Sequence, residues 1–255
     1  MKKLFSVLLA ICMLLSMLAL VSCKKQTLSE RVNEAISATY STDSYAANYE
    51  MKISMETMGM TLDIPTTMDM KVKNATSASP IASIDLTMEM FGSELEMAIY
   101  MEDGWVYASA FGASYKARVT ENEDLAEYTQ TADNILKVLP ANYFEGVEAT
   151  KNPDGSETVV ICMPGDAFSE IFSDTVAGAA ASAADSIEDV EVSNTRLEIT
   201  IKDGMVSVYS MAFDMSMKSG GIDVVATVSA DMTFTAFGDA VVITPPEGYL
   251  DYPEQ

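Results

Sequence analysis

The chain contains no histidine, and that absence removes more chemistry than any motif in it supplies. Histidine is the usual general base near neutral pH, the commonest zinc ligand, and the proton acceptor of Ser-His and Cys-His nucleophile pairs. Cysteine is nearly as scarce, with Cys12, Cys23 and Cys162 the whole supply. Basic residues number 15 against 38 acidic ones, a formal charge of −23 over 255 residues. Such a field repels nucleic acid and anionic headgroups, so neither is expected as a surface-bound partner. No glycine-rich phosphate loop occurs. Residues 152–157 (Asn-Pro-Asp-Gly-Ser-Glu) superficially suggest a calcium loop, but the Asp/Asn ladder is missing and Ile161 stands where the closing acid belongs. The segment reads instead as a hairpin turning at Asp154-Gly155. Carboxylate pairs arise by chance among 38 acids and single out nothing. The expectation is a protein that is not an enzyme and holds neither metal nor cofactor.

What is present begins at the N-terminus. Lys2 and Lys3 precede an apolar run from residue 4 to residue 21, which closes on Leu20, Val21, Ser22 and Cys23. Two positive charges hold the start on the cytoplasmic side while the apolar run enters the bilayer. The last four residues resemble the lipobox of bacterial lipoproteins, an aliphatic residue followed two later by a small one and then Cys. The resemblance implies that Leu20, Val21 and Ser22 carry recognition, that the Cys23 thiol receives a diacylglycerol, and that a peptidase cuts just before it. The 19 residues 4–22 could also span a bilayer uncleaved. Lys24 and Lys25 match Lys2 and Lys3, so charge does not arbitrate; the cysteine behind a small residue does. The expected organisation is a signal peptide over 1–22, a short tether over 23–26 and one domain over 27–255, lipid-anchored outside the cytoplasm to the bacterial cell membrane. Loss of the signal leaves 233 residues, with 13 basic against 38 acidic side chains and a net charge of −25. A chain of that size buries about 70% of its unfolded surface. Cys162 then has no disulfide partner and, lying in the apolar run 159–163, is expected as a small buried hydrophobe.

Periodicity supplies the elements. Thr27-Leu28-Ser29-Glu30 fits a capping box, and Leu28, Val32, Ala35 and Ile36 share one helical face, which predicts a helix to residue 39 or 40. Period-2 alternation follows: Met51, Ile53, Met55; Met68, Met70, Val72; Ile84, Leu86, Met88, Met90; Leu95, Met97, Ile99, Met101. Asp103-Gly104 turns the chain into Trp105-Val106-Tyr107, and another strand covers 115–119. A second helix is expected over 122–139, with Leu125, Tyr128, Ile135 and Leu139 on its face and Pro140 as its stop. After the hairpin at Asp154-Gly155, a third helix is expected over 166–187, burying Phe168, Ile171, Phe172, Val176, Ala180 and Ile187. Three strands close the chain. In the middle one the inward set passes from Val206 and Val208 to Tyr209, Met211, Phe213, Met215 and Met217, a parity change that predicts a bulge.

The resulting order is a helix, six strands, a helix, two strands, a helix and three strands. It resembles the LolA/LolB fold of lipoprotein carriers and its relatives, the lipid-carrying lipoproteins of mycobacteria, and especially small lipoproteins of monoderm bacteria with no assigned function. The local marks are Ala35-Ile36-Ser37-Ala38 leading into Ser44-Tyr45, the hairpin Asp103-Gly104-Trp105-Val106-Tyr107, and Pro245-Pro246 near the end. The resemblance implies an α+β fold, one strongly curved antiparallel sheet of about eleven strands forming an open half-barrel, with helices plugging its concave side over a hollow for acyl chains. The expected function is therefore a cell-envelope lipoprotein binding or carrying a lipid or other apolar ligand. Independent of the resemblance, 16 of the 19 methionines lie beyond the signal, mostly on apolar strand faces, and adaptable thioethers suit variable greasy ligands. The expected lining is Met88, Met90, Met97, Ile99, Met211, Phe213 and Met215. Two alternatives stand beside it: a surface scaffold or sensor whose core is simply filled, and a Cu(I) chaperone suggested by Met-x-Met pairs such as Met68/Met70 and Met215/Met217. Strand periodicity alone predicts the i, i+2 spacing without copper.

Overall fold

A computed structural model describes residues 26–254 apart from 58, 78, 119–136, 174–187 and 220. Helix α1 (Leu28–Tyr40) starts with the capping box its sequence specifies. The Glu30 amide donates to Thr27 Oγ1 at 3.2 Å, and the Thr27 amide donates to Glu30 Oε2 at 2.8 Å, an arrangement worth about 1 kcal/mol. Strands β1 (Tyr45–Thr57), β2 (Met60–Lys73), β3 (Ile81–Met90), β4 (Ser93–Glu102), β5 (Trp105–Ala110) and β6 (Ala113–Arg118) follow as successive hairpins. A 3-10 turn (Ala141–Phe144), β7 (Ala149–Lys151), β8 (Glu157–Ile161), the short helix α2 (Gly165–Ile171), β9 (Glu188–Lys202), β10 (Met205–Ser219), β11 (Ile222–Phe237) and two more 3-10 turns (Gly238–Ala240 and Tyr249–Asp251) follow among the described residues.

All eleven strands form one antiparallel sheet in the order β6-β5-β4-β3-β2-β1-β11-β10-β9-β8-β7. The first and last long strands close the middle, with Tyr45 opposite Phe237 and Glu56 opposite Val225. The sheet does not close on itself, and with the two helices of the described residues on its apolar face it is an α+β open half-barrel. One edge, β7, is only three residues long. The other, β6, is covered by the C-terminal tail: the Lys116 amide donates to the Pro253 carbonyl at 2.9 Å and the Lys116 ammonium to the Leu250 carbonyl at 2.6 Å. Both devices blunt edges that would otherwise template strand addition. The tail also seals the outer face, where Tyr249 packs edge-on to Tyr100 (5.1 Å) and Tyr107 (4.8 Å) and its hydroxyl donates to Glu102.

The parity change in β10 is a bulge between Val206 and Val208. The Val206 amide there donates to Thr39 Oγ1 at 2.8 Å, so the irregularity locks α1 to the sheet. Helix α2 sits on the same face: Phe168 lies 4.7 Å from Phe172 and 5.0 Å from Phe213, ring centre to ring centre. Gly165 lets it approach, since a β-carbon there would stand 1.7 Å from the Val192 carbonyl oxygen. Beneath both helices Leu197, Ile199, Tyr209, Val228 and Met232 are buried.

One expectation changes, and two lie largely outside the described residues. Cys162 is exposed, not buried. The alternation Val159 and Ile161 inward, Val160 outward carries past the end of β8 and turns the thiol to solvent. The helix expected over 122–139 falls mostly outside the described residues. Its last positions, 137–139, are not helical; Leu139 is instead bonded through its amide and carbonyl to the Asn33 side chain, both at 2.9 Å. Of the third helix, Val176, Ala180 and Ile187 also fall outside, and β9 begins at Glu188.

Candidate ligand-binding face

Cross-strand register decides which side chains share a face. Met88 lies opposite Thr66, Thr66 opposite Met51, Met51 opposite Ala230 and Ala230 opposite Met211. In the next row Met97 faces Leu86, which faces Met68, and Ile99 faces Ile84 beside Met70. Period-2 strands therefore assemble one apolar surface running from β10 to β5. All seven residues expected to line a cavity lie on it, as do the pairs Met68/Met70, Met88/Met90 and Met215/Met217, whose spacing is the strand period.

The seven fall into two groups with different surroundings. Met211, Phe213 and Met215 on β10 are fully buried beneath the helices. Met88, Met90 and Ile99 are half-buried, and Met97 is 36% exposed. Four strand spacings part β3 from β10, about 19 Å along the sheet at ~4.8 Å each. An open hollow of about 780 Å³ borders β3, β4 and β5; Leu86, Leu95, Met97 and Ala110 of the apolar face line it, and so do Asp85, Thr87, Glu94, Glu96 and Ala98 of the opposite face, with Phe111 at the turn. Its size is within the range of small-molecule sites. Of the seven expected residues only Met97 lines it.

Residues between the groups were missed: Met51, Ile53, Ile64, Met68 and Met70 bridge the two wings, and their own alternation was the signal. Thr66 is the polar exception. It is buried among these methionines, and its hydroxyl has no hydrogen-bond partner among the described residues, a loss of about 1–3 kcal/mol for a desolvated group. Tyr49, also on this face, has its hydroxyl pushed up to about 12, first by burial and then by Asp231. Burial raises Tyr209 as well. Among the described residues no three acidic or cysteine side chains converge as a metal site requires, and no helix is long and apolar enough to cross a membrane. Cys23, Leu20, Val21 and Ser22 lie outside the described residues.

The model of a family of unknown function, DUF6612, matches residues 27–251. The chain belongs to that family. No curated protein matches the sequence. Among solved structures the DUF6612 chain is similar to LprF from Mycobacterium bovis, at 12% identity and a TM-score of 0.41, over 86% of this chain and 97% of LprF. It is also similar to lipovitellin, in a structure concerned with lipid–protein interactions, at 9% identity and a TM-score of 0.32, over 80% of this chain but 26% of that one. A DUF1329 family protein from Desulfovibrio piger aligns at 8% identity and a TM-score of 0.27, over 83% of this chain and 92% of that one.

Proposed function

We propose that this DUF6612 protein is a non-enzymatic cell-envelope lipoprotein, tethered outside the cytoplasmic membrane through lipid on Cys23, whose half-barrel binds a lipid or other apolar ligand. The observation that carries the reading is the uneven cover of one continuous apolar face. Water contact with Met88, Met90, Met97 and Ile99 costs about 25 cal/mol per Å² of apolar surface left unburied, and a greasy ligand laid against them removes that cost.

The test is native mass spectrometry of the processed protein purified from its own host, paired with uptake of a fluorescent fatty acid. The expected result is a co-purifying apolar molecule and saturable uptake that Met97→Asp abolishes. No bound molecule and no uptake would favour the second reading, a scaffold with a filled core, for which the complete burial of Met211, Phe213 and Met215 speaks.

A further inference from the structure

Four of the two-residue hairpins share one backbone geometry and divide by chemistry between the two ends of the sheet. Asp103-Gly104 and Asp203-Gly204 have φ of 51° and 75°, and 52° and 79°. Phe91-Gly92 and Phe111-Gly112 have φ of 54° and 73°, and 54° and 76°. These positive pairs are what a type I′ turn demands, and Asn, Asp or Gly is the residue that fills its first position readily. A bulky side chain in the left-handed region is an outlier that needs a reason. Packing supplies none, because Phe91 is 82% exposed and Phe111 78% exposed. The aspartate turns show that the same chain makes the same turn without the strain.

The two phenylalanine turns lie at the same end of the sheet. β3–β4 and β5–β6 are neighbouring hairpins, so their tips stand two strand spacings apart, about 10 Å. The β1–β2 hairpin turns at this end too, at Gly59, and Met60 beside it is 66% exposed. Three apolar tips thus stand in a row. The aspartate turns occupy the opposite end, where α1 crosses: Thr39 meets Val206 beside Asp203-Gly204, and Arg31 pairs with Glu157, which faces Ile201. About 33 Å of strand, the ten residues of β3 at ~3.3 Å each, separates the two ends.

We propose that the row of Met60, Phe91 and Phe111 is a membrane-contacting edge that dips into a bilayer low in anionic lipid. Separate apolar points with solvent between them suit a fluid surface, into which each sinks independently; a protein interface needs a continuous buried centre. Charge selects the lipid. Glu89 and Glu94 face each other directly beneath the Phe91 turn, and Glu96 follows on the same strand, so the tips are ringed by carboxylates that anionic headgroups repel and zwitterionic ones tolerate. Phe111 also borders the hollow over β3–β5. That a carried lipid enters at this end rests on the function proposed above; a tether of four residues spans only about 13 Å at ~3.3 Å each, so with the anchor at the α1 end these tips meet a bilayer other than the one that holds Cys23.

The test adds phosphatidylcholine vesicles whose acyl chains carry bromine to the full chain held by its own anchor in unbrominated vesicles. Trp105, the single tryptophan, lies at the α1 end and is replaced by Phe, and Phe111→Trp then places the only indole at a tip. Bromine should quench this indole at least twofold. Replacing half the phosphatidylcholine with phosphatidylglycerol should reverse most of the quenching, as should adding Phe91→Asp. Separately, Phe91→Asp with Phe111→Asp should melt at or above the wild-type temperature, because each creates the aspartate turn already used at the other end. An unquenched tip indole, stronger quenching with phosphatidylglycerol, or a lower melting temperature for the double variant would each overturn the proposal. Fatty-acid uptake by Phe91→Asp, a change outside the lining of the hollow, separates this contact from ligand carriage: retained uptake, with quenching lost when Phe91→Asp is added to the tip-indole variant, is the expected pattern, and uptake lost while quenching persists overturns the assignment of the tips.

Discussion

Placing a charge at two points on the same apolar face should have opposite consequences. Phe213 is 1% exposed, with its ring against Phe168 and its strand neighbour Val228 also buried. Truncating a buried Phe costs about 3–5 kcal/mol from lost transfer and the cavity left behind. An unpaired carboxylate in that space adds several kcal/mol more. Against a total stability of about 5–15 kcal/mol, Phe213→Asp should leave the domain largely unfolded at room temperature. Met97 is 36% exposed. Full burial of a Met is worth about 1.5–3 kcal/mol, only part of which is realised here, and a carboxylate at this position keeps its water. Met97→Asp should therefore cost about 1–2 kcal/mol and remain folded. Urea denaturation followed by circular dichroism measures both, and fatty-acid uptake is read on the folded variant. A cooperative, near-wild-type transition for Phe213→Asp, or an unfolded Met97→Asp, would refute the division of the face into a sealed wing and an open one.

Gly165→Ala should destabilise by about 3 kcal/mol or more, since its new methyl meets the Val192 carbonyl at 1.7 Å and either α2 or β9 must move; thermal melting reads this. Deleting residues 247–255 should expose Tyr100 and the edge of β6 together, giving a lower melting temperature and concentration-dependent aggregation by light scattering. Tyr49 binds its proton more tightly folded, at about 12, than at the ordinary 10. Its contribution is thus fully present below pH 10 and fades as pH rises from 10 towards 12, so alkaline unfolding should begin in that window and Tyr49→Phe should be less sensitive there. Cys23→Ala should yield an unprocessed, unacylated precursor by mass spectrometry, and normal maturation of that variant would sink the lipoprotein reading.

Local signals in the sequence were enough for most of the elements. The capping box at Thr27 and Glu30, the alternation in β1 to β4, the Asp-Gly turns and the parity break at Val206 each depend on residues within a few positions of one another, and each stands in the structure where the sequence indicated. Even the two faces were legible: Cys162 shares the parity of exposed Val160, and the apolar run around it obscured a period that was there to read. The strand order was settled only in three dimensions, where Tyr45 meets Phe237 across nearly the whole chain. So was the burial of Phe213 against the exposure of Met97. Both are apolar residues on inward strand positions, and nothing within their own strands distinguishes them. Alternation fixes the side of the sheet to which a residue points, because it follows from backbone geometry. Cover is a property of whatever distant segment folds over it: α1 and α2 seal the β9–β10 wing, and residues 249–254 close the outer face at β6, through contacts no local pattern encodes.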